Sequence, residues 1–150
     1  ATIWHAWMDG VTDGKSGSQV GYTDAPFAEK TIVHGGRQSM PLQYANTSFA
    51  FSEATRTFDS VQDWTAHGVK TLAIWFAGAA DNGGQLYAKI NGVKVAYDGA
   101  SANLASAEWR AWSIDLSKVS GVKQVRTLTI GVEGSGAKGI LYFDDIRLLP

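Results

Sequence analysis

Short runs of alternating or continuous apolar residues follow one another along the chain, and Gly, Asn, Asp and Ser interrupt them. No apolar period of 3.6 residues persists for three helical turns, so the pattern predicts an all-β fold. Apart from the hairpin described next, the predicted strands cover residues 38–44, 51–58, 70–77, 110–116, 125–132 and 139–148. Because strands recur roughly every ten residues, we predict one antiparallel β-sandwich domain, a jelly roll, over residues 1–150.

The clearest turn signal is the pair Asn91-Gly92 within QLYAKINGVKVAYDG. A type I′ turn needs positive φ at both central residues, which Asn and Gly tolerate, so a β-hairpin is predicted there. The glycine-rich segment GSGAK at 134–138 joins two further strand-like runs and predicts a second hairpin. Residues 1–30 are rich in Gly, Asp and Ser with scattered aromatics, and we interpret them as a long ordered loop that wraps the sandwich.

Side chains alternate between the two faces of a strand, so residue parity separates core from surface. Trp75 has odd parity in a strand whose even positions are apolar, and the same reasoning turns Tyr87, Lys89 and Glu133 outward. Flat aromatic faces beside hydrogen-bonding groups suit the binding of a sugar ring. The other interpretation is that the N-terminal segment covers Trp75 and Tyr87, which then only pack.

Composition and charge exclude several kinds of partner. Thirteen basic and fourteen acidic side chains give a net charge of −1 with no basic stripe, so neither nucleic acid nor a membrane surface is an expected partner. No apolar run approaches the length of a membrane span. The absence of cysteine excludes disulfides, thiolate chemistry and cysteine zinc sites. Because the chain begins at Ala1 without Met or a signal, we interpret it as a segment of a longer protein.

The spacing of the acidic residues disfavours catalysis. A glycosidase needs two carboxylates about 5–9.5 Å apart across a cleft. Asp144 and Asp145 are adjacent in LYFDDIRLLP, so a strand points them to opposite faces. The three histidines lie in loop-like stretches, and no Gly-x-Ser-x-Gly elbow precedes a helix. The chain is therefore predicted not to be an enzyme.

The order of several motifs over residues 31–149 resembles that of the galactose-binding-like β-sandwich carbohydrate-binding modules. These motifs are GGRQSM, FSEATRTF, QDWTAHGVKTLAIWFAG, EWRAWSIDLSKV, LTIGVEG and LYFDDIRL. The modules accompany bacterial glycoside hydrolases and bind β-glucans or xylans, and similar modules occur in large exported bacterial proteins. The resemblance implies a secreted or cell-surface protein.

The resemblance also implies a structural Ca²⁺. In such modules its ligands are an acidic residue of the first strand, backbone carbonyls of the glycine-rich turn and an Asp of the terminal pair. On this sequence Asp144 matches the terminal ligand, and Gly36 with neighbouring Gln38 matches the turn. Such a mixture of carboxylate and carbonyl oxygens is what Ca²⁺ prefers.

Two points about this metal site stay open in the sequence. The family's opening Phe-Glu strand is missing, so either the chain is trimmed in front of it or Asp9, Asp24 or Glu53 supplies the carboxylate. The alternative for Asp144 is a capped strand end, in which its carboxylate accepts hydrogen bonds from N–H groups of the turn.

The leading hypothesis is a non-catalytic module that docks polysaccharide of the β-glucan or xylan type and targets a covalently linked enzyme. The glycan would lie on the face or rim that carries Trp75 and Tyr87, with Lys89, Glu133 or Arg147 bonding its hydroxyls. The alternative hypothesis is a structural or interaction β-sandwich domain of a large exported protein, with its aromatic side chains buried.

Overall fold

Two antiparallel sheets of five strands each pack face to face in the computed structural model, which describes residues 6–23 and 27–150. In chain order the strands are β1 (Trp7–Met8), β2 (Ser18–Val20), β3 (Met40–Ala45), β4 (Phe51–Gln62), β5 (Thr71–Ala77), β6 (Gln85–Ile90), β7 (Val93–Ala96), β8 (Arg110–Asp115), β9 (Val125–Glu133) and β10 (Lys138–Leu149). Sheet A has the order β1-β4-β9-β6-β7, and sheet B has the order β2-β3-β10-β5-β8. The predicted all-β sandwich is confirmed.

The described residues contain little helix. One turn of α-helix, α1 (Gly10–Asp13), precedes β2, and short 3₁₀ segments cover Ala66–Gly68, Ser101–Ala105 and Leu116–Lys118. Within residues 6–23 and 27–150 no helix has the length and apolar character needed to cross a membrane.

The core lies between the sheets and follows the predicted parity. Three consecutive inward positions are buried in each of β5, β6 and β9: Leu72, Ile74 and Phe76; Leu86, Ala88 and Ile90; Leu128, Ile130 and Val132. Burying each large apolar side chain contributes about 1.5–3 kcal/mol. A register slip of one residue would turn this whole set to solvent, so core burial fixes which residues of each strand face outward.

The hairpin at Asn91-Gly92 is confirmed, since it joins β6 to β7 with φ values of 51° and 82°. Asn91 also ties this turn to the chain before β9. Its Nδ2 donates to the backbone carbonyls of Gly121 and Gln124, and its Oδ1 accepts the N–H of Arg126 at 2.8 Å. The Asn therefore supplies both the turn conformation and a tertiary anchor.

The predicted hairpin at 134–138 is wrong, because β9 belongs to sheet A and β10 to sheet B. The segment is a crossover between the sheets, and the buried Asn46 holds it in place. The Asn46 Nδ2 donates to the carbonyls of Val132 and Gly134, and its Oδ1 accepts the Ser52 hydroxyl at 2.5 Å. A glycine-rich link between two strand-like runs has the same sequence appearance in a hairpin and in a crossover.

The N-terminal segment does more than wrap the sandwich, because it supplies an edge strand to each sheet. β1 pairs with β4 in sheet A, and β2 pairs with β3 in sheet B. The buried Asp9 connects them, since its carboxylate oxygens accept the N–H of Thr12 at 2.9 Å and that of Val20 at 2.8 Å. The hydrogen bond from Thr12 makes Asp9 the N-cap of α1, and Gly14 ends that helix with φ 71°.

Two long strands depart from regular pairing at the same end of the sandwich. The register of β10 against β5 shifts between Asp144 and Arg147, where Asp145 has φ 47°. The register of β4 against β9 shifts between Thr57 and Gln62. Such bulges bend a strand and re-aim its side chains.

Candidate functional site

A cleft of about 800 Å³ opens on the outer face of sheet B. Its floor contains Gln19, Gln43 and Ile140, which form one row because Gln43 pairs with both of the others across the sheet. Neighbours in such a row have Cβ atoms about 4.5–5.5 Å apart. Lys138 lies two residues before Ile140 and shares its face of β10. The floor therefore carries two amides, an ammonium group and an apolar side chain.

Loops form the walls of this cleft. Residues 47–49 after β3 line one part, and residues 80–82 after β5 line another. The turn at 16–17 and the start of α1 also line the cleft. Phe49 and Val11 line the cleft as well, and they are 37% and 70% exposed. These two side chains give the polar cleft an apolar edge.

Asn82 fixes one wall against the floor. Its Nδ2 donates to two backbone carbonyls, and its Oδ1 accepts the Ile140 N–H at 3.1 Å. Gly139 permits this approach, since an added Cβ would lie 2.1 Å from the Asn82 Oδ1. The Tyr44 hydroxyl donates to the Gly83 carbonyl at 2.8 Å, and burial raises the pKa of this tyrosine to about 12, so it stays protonated at neutral pH.

Six polar side chains of the cleft are available to a ligand. Within the part of the chain that the structure describes, they have neither a hydrogen bond nor an ion pair, and they are Gln19, Gln43, Thr47, Ser48, Asp81 and Lys138. The cleft thus offers amide donors and acceptors together with one carboxylate and one ammonium group. The two charges cancel, so the lining has no net formal charge.

Trp75 lies on the outer face of sheet B, as predicted, but another ring covers it. The imidazole of His34 stacks on the indole with 3.8 Å between centroids and 17° between planes, and Trp109 stands 5.7 Å from the same imidazole. His34 Nδ1 pairs with Asp145 Oδ2 at 2.6 Å, and Asp145 Oδ1 accepts Arg147 Nη2 at 2.9 Å. The stacked imidazole occupies a position where a sugar ring would stack on Trp75.

Three other predicted sugar-binding residues lie on the outer face of sheet A. Tyr87 is 1% exposed, and its hydroxyl donates to Glu53 Oε2 at 2.5 Å. Burial, followed by the hydrogen bond to Glu53, raises the pKa of Tyr87 far above its usual range. Lys89 pairs with Glu53 at 2.8 Å, and Lys94 pairs with Glu133 at 2.6 Å while lying over the Tyr87 ring. This cluster satisfies its own charges.

The structure therefore divides the predicted sugar-binding residues between two opposite faces of the sandwich. Trp75 belongs to sheet B, Arg147 lies farther along β10 at one end of the sandwich, and Tyr87, Lys89 and Glu133 belong to sheet A. A single ligand cannot contact both outer faces at once. Parity had indicated outward positions correctly but could not assign the strands to sheets.

The predicted metal ligand Asp144 is surrounded by hydrogen-bond donors. Its Oδ2 accepts the N–H groups of His34 at 3.1 Å and Gly35 at 3.0 Å, and its Oδ1 accepts the N–H of Asp145 at 2.8 Å. This is the capped-strand geometry. Gln38 lies with Asp144 in a shallow depression. The three N–H groups occupy most of the acceptor positions of this carboxylate and would compete with a cation for them.

The other candidate metal ligands lie elsewhere. Gly36 is in the turn that Asp144 caps, at φ 67°, and does not line the depression. Asp9 caps α1, Glu53 is on sheet A, and Asp24 lies outside the described residues. Among residues 6–23 and 27–150 there is no group of three or more acidic, histidine or cysteine side chains placed to hold a metal. Calcium stays a prediction.

The cleft on sheet B is not among the predicted sites, although the sequence contains part of its signal. Gln43 interrupts an apolar strand at the parity opposite to Leu42 and Tyr44, which marks it as outward-facing. Gln19 faces it only because the N-terminal segment adds β2 to the sheet, and that segment had been interpreted as a loop. Phe49 enters through a loop whose path no periodicity encodes.

Comparison of the fold with solved structures gives several matches at low sequence identity. An exo-beta-agarase superposes with a TM-score of 0.72 and 10% identity, over 99% of this chain and 24% of that chain. A family 11 carbohydrate-binding module from Clostridium thermocellum, in complex with a beta-1,3-1,4-mixed-linked tetrasaccharide, has a TM-score of 0.58 and 13% identity over 90% and 88% of the two chains. A family 30 module of a Clostridium thermocellum cellulosomal cellulase has a TM-score of 0.59 and 13% identity over 90% and 91%.

The sequence itself matches no protein-family model and no curated protein. The chain spans about a quarter of the length of the agarase and most of the length of the two modules. The similarity is thus one of architecture. The chain has the β-sandwich fold shared by carbohydrate-binding modules and by part of the agarase.

Proposed function

We propose that this domain binds polysaccharide in the cleft on sheet B and catalyses no reaction. The observation that carries the proposal is the set of unpartnered amide and charged side chains on the cleft floor beside the exposed ring of Phe49. A sugar ring presents an apolar CH face and a belt of hydroxyls. Phe49 suits the former, and Gln19, Gln43, Asp81 and Lys138 suit the latter.

The size and charge of the cleft support a glycan ligand. About 800 Å³ lies within the range of about 300–1,000 Å³ in which most ligand sites fall. The lining has no net formal charge, which favours a neutral chain such as a β-glucan or xylan. The ligand named for the family 11 module, a beta-1,3-1,4-mixed-linked tetrasaccharide, supports a β-linked glycan as the class of ligand.

Binding without turnover is supported by the acidic residues of the cleft. Asp81 is the single carboxylate among its described lining residues, whereas glycoside hydrolysis uses a pair about 5–9.5 Å apart. Such a domain would act by holding a linked enzyme near its substrate, which raises the effective concentration of that substrate. The part that this fold occupies in an agarase supports a covalently linked module, and a secreted or cell-surface location follows from the proposed ligand.

Affinity gel electrophoresis against mixed-linkage β-glucan, xylan and agarose tests the proposal. We expect at least one glycan to retard the protein. Gln43→Ala and Phe49→Ala should each lower the affinity that the retardation measures by about tenfold, because each removes a contact worth about 1–1.5 kcal/mol. Gln124→Ala and Val93→Ala are matched controls at exposed sites outside the cleft and should migrate as wild type.

Two results would overturn the assignment. If no glycan retards the protein, the second candidate function, a structural or interaction domain, gains support from the burial of Tyr87 and the covered face of Trp75. If binding is present but Gln43→Ala and Gln124→Ala behave alike, the glycan binds at another surface.

A further inference from the structure

A separate cavity of about 280 Å³ opens between the two sheets at one end of the sandwich. Sheet A contributes Trp7, Arg56, Phe58, Gln62 and Leu128, sheet B contributes Leu72, Ile146, Arg147 and Leu148, and Trp64 lies between β4 and β5. The glycan cleft shares none of these residues. The cavity is thus a second, independent concave site.

Irregular strand pairing borders this cavity on both sheets. The register shift in β4 between Thr57 and Gln62 and the shift in β10 between Asp144 and Arg147 both flank it. Bulges of this kind are retained features of folds, and they are common beside functional sites. The cavity thus lies where each sheet departs from regular pairing.

The floor of the cavity is apolar and deep. Trp64, Leu72 and Leu128 are at most 3% exposed, and Phe58 packs edge-on against Trp64 with 6.0 Å between centroids. The Trp64 Nε1–H is already committed to Gln62 Oε1 at 2.9 Å. The deep part therefore offers a ligand only apolar contact.

The mouth of the cavity is positively charged. Arg56 has no ion pair among the described residues, and its guanidinium stands 5.2 Å from the Phe58 ring centroid. Arg147 lends one N–H to Asp145, which leaves most of its five N–H donors free on a largely exposed side chain. None of the described residues that line the cavity is acidic, so both formal charges among them are positive.

We infer that this end cavity binds a small amphiphile with an apolar body and a single carboxylate. The body would lie against the half-buried side chains of Phe58, Ile146 and Leu148, above the buried floor, and the carboxylate would pair with Arg56 and Arg147 at the mouth. A guanidinium binds a carboxylate through two parallel hydrogen bonds, which favours an anionic head group over a neutral one. An ammonium head group would be repelled.

Titration with octanoate, octanol and octylammonium, all well below their micelle concentrations, tests the inference. The readout is the set of indole Nε1–H signals of the six tryptophans in ¹⁵N-labelled protein. Octanoate should shift the signals of Trp7 and Trp64 and leave those of Trp109 and Trp112 in place. Octanol should bind about tenfold more weakly, since it lacks the charge-assisted hydrogen bonds, and octylammonium should not bind.

Variants separate charge from packing. Arg56→Gln and Arg147→Gln should each weaken octanoate binding about tenfold and leave octanol binding unchanged. Arg126→Gln, at an exposed arginine that does not line the cavity, should change neither. Leu148→Phe adds bulk at the mouth from a half-buried position and should abolish binding of both ligands. Unchanged indole signals of Trp109 and Trp112, which do not line the cavity, verify the fold of each variant without ligand.

Several results would overturn the inference. Equal affinities for octanoate and octanol would remove the arginines from recognition. Octanoate shifts spread over all indoles would indicate detergent-like adsorption, and no shift at millimolar octanoate would mean that the cavity takes no such ligand. None of these outcomes bears on the glycan cleft, so the two proposals fail separately.

Discussion

The pair Asp144-Asp145 illustrates how much a single residue's role depends on its backbone. The positive φ of Asp145 breaks the alternation of β10, and its carboxylate then pairs with the ring of His34. Asp144 turns to the N–H groups of the same loop. The prediction that alternation turns the two carboxylates to opposite faces is therefore wrong, because both face the same loop and hold it over Trp75.

Asp145→Asn tests this fastening. The hydrogen bond from His34 and then the Arg147 guanidinium hold the Asp145 pKa below its ordinary value. A carboxyl with a lowered folded-state pKa stabilises the protein above its unfolded pKa of about 3.9, and this contribution disappears as the pH falls through the folded pKa. Asn tolerates positive φ, so the variant should lose about 1–2 kcal/mol of unfolding free energy at pH 7 through charge alone.

Urea unfolding from pH 7 to pH 3 measures the effect. The difference between wild type and Asp145→Asn should persist down to about pH 5 and shrink below about pH 4. Asp59→Asn is the control, at an exposed aspartate whose side chain has no hydrogen bond or ion pair among the described residues, and it should stay within about 0.5 kcal/mol of wild type. A pH-independent difference would assign the loss to backbone geometry.

The alternation of apolar residues predicted the existence, bounds and faces of most strands. It could not predict which sheet each strand joins, because residue parity is a property of one strand and sheet assignment depends on long-range pairing. Trp75 and Tyr87 were both correctly turned outward, yet they belong to different sheets. The hairpin predicted at the glycine-rich link 134–138 is wrong for the same reason. Its course depends on Asn46, which lies about ninety residues away in sequence.

Asn46→Ala should therefore destabilise the crossover more than its size suggests. The variant leaves the carbonyls of Val132 and Gly134 and the hydroxyl of Ser52 without their partner in a buried position. Each unsatisfied buried polar group costs about 1–3 kcal/mol, and water entering the gap offsets part of it, so we expect a loss of about 3 kcal/mol.

Chemical denaturation of Asn46→Ala beside Asn103→Ala checks this prediction. Asn103 makes one side-chain hydrogen bond, to the Tyr97 hydroxyl, in a half-buried position, and its removal should cost at most about 1 kcal/mol. Similar losses in the two variants would mean that Asn46 is not what holds the crossover.

The whole molecule combines a regular core with departures from regularity that create its concave surfaces. The sandwich was predictable because its core residues follow a period of two. The cleft was not, since β2 comes from a segment without strand periodicity and Phe49 comes from a loop. The end cavity lies beside two bulges. Neither Asp145 nor the stretch after Thr57 has a sequence pattern that predicts a bulge.

Calcium binding would affect the stability of the whole molecule, because a bound ion would connect the loop before β3 to the last strand. An ion that binds only the folded state adds RT ln(1 + [L]/Kd), about 2.7 kcal/mol at a hundredfold excess over Kd, which would raise the unfolding midpoint by roughly 5–10 °C. Three N–H donors already occupy three of the roughly four acceptor positions of Asp144 and compete with a cation there, so we expect the same midpoint in Ca²⁺ and in chelator. Asp144→Asn should lower the midpoint by the same amount in Ca²⁺ and in chelator, because the stability lost is that of the hydrogen bonds from the N–H groups. A midpoint raised by Ca²⁺ in wild type and unaffected in Asp144→Asn would require the 34–35 turn to open and would restore the predicted metal ligand.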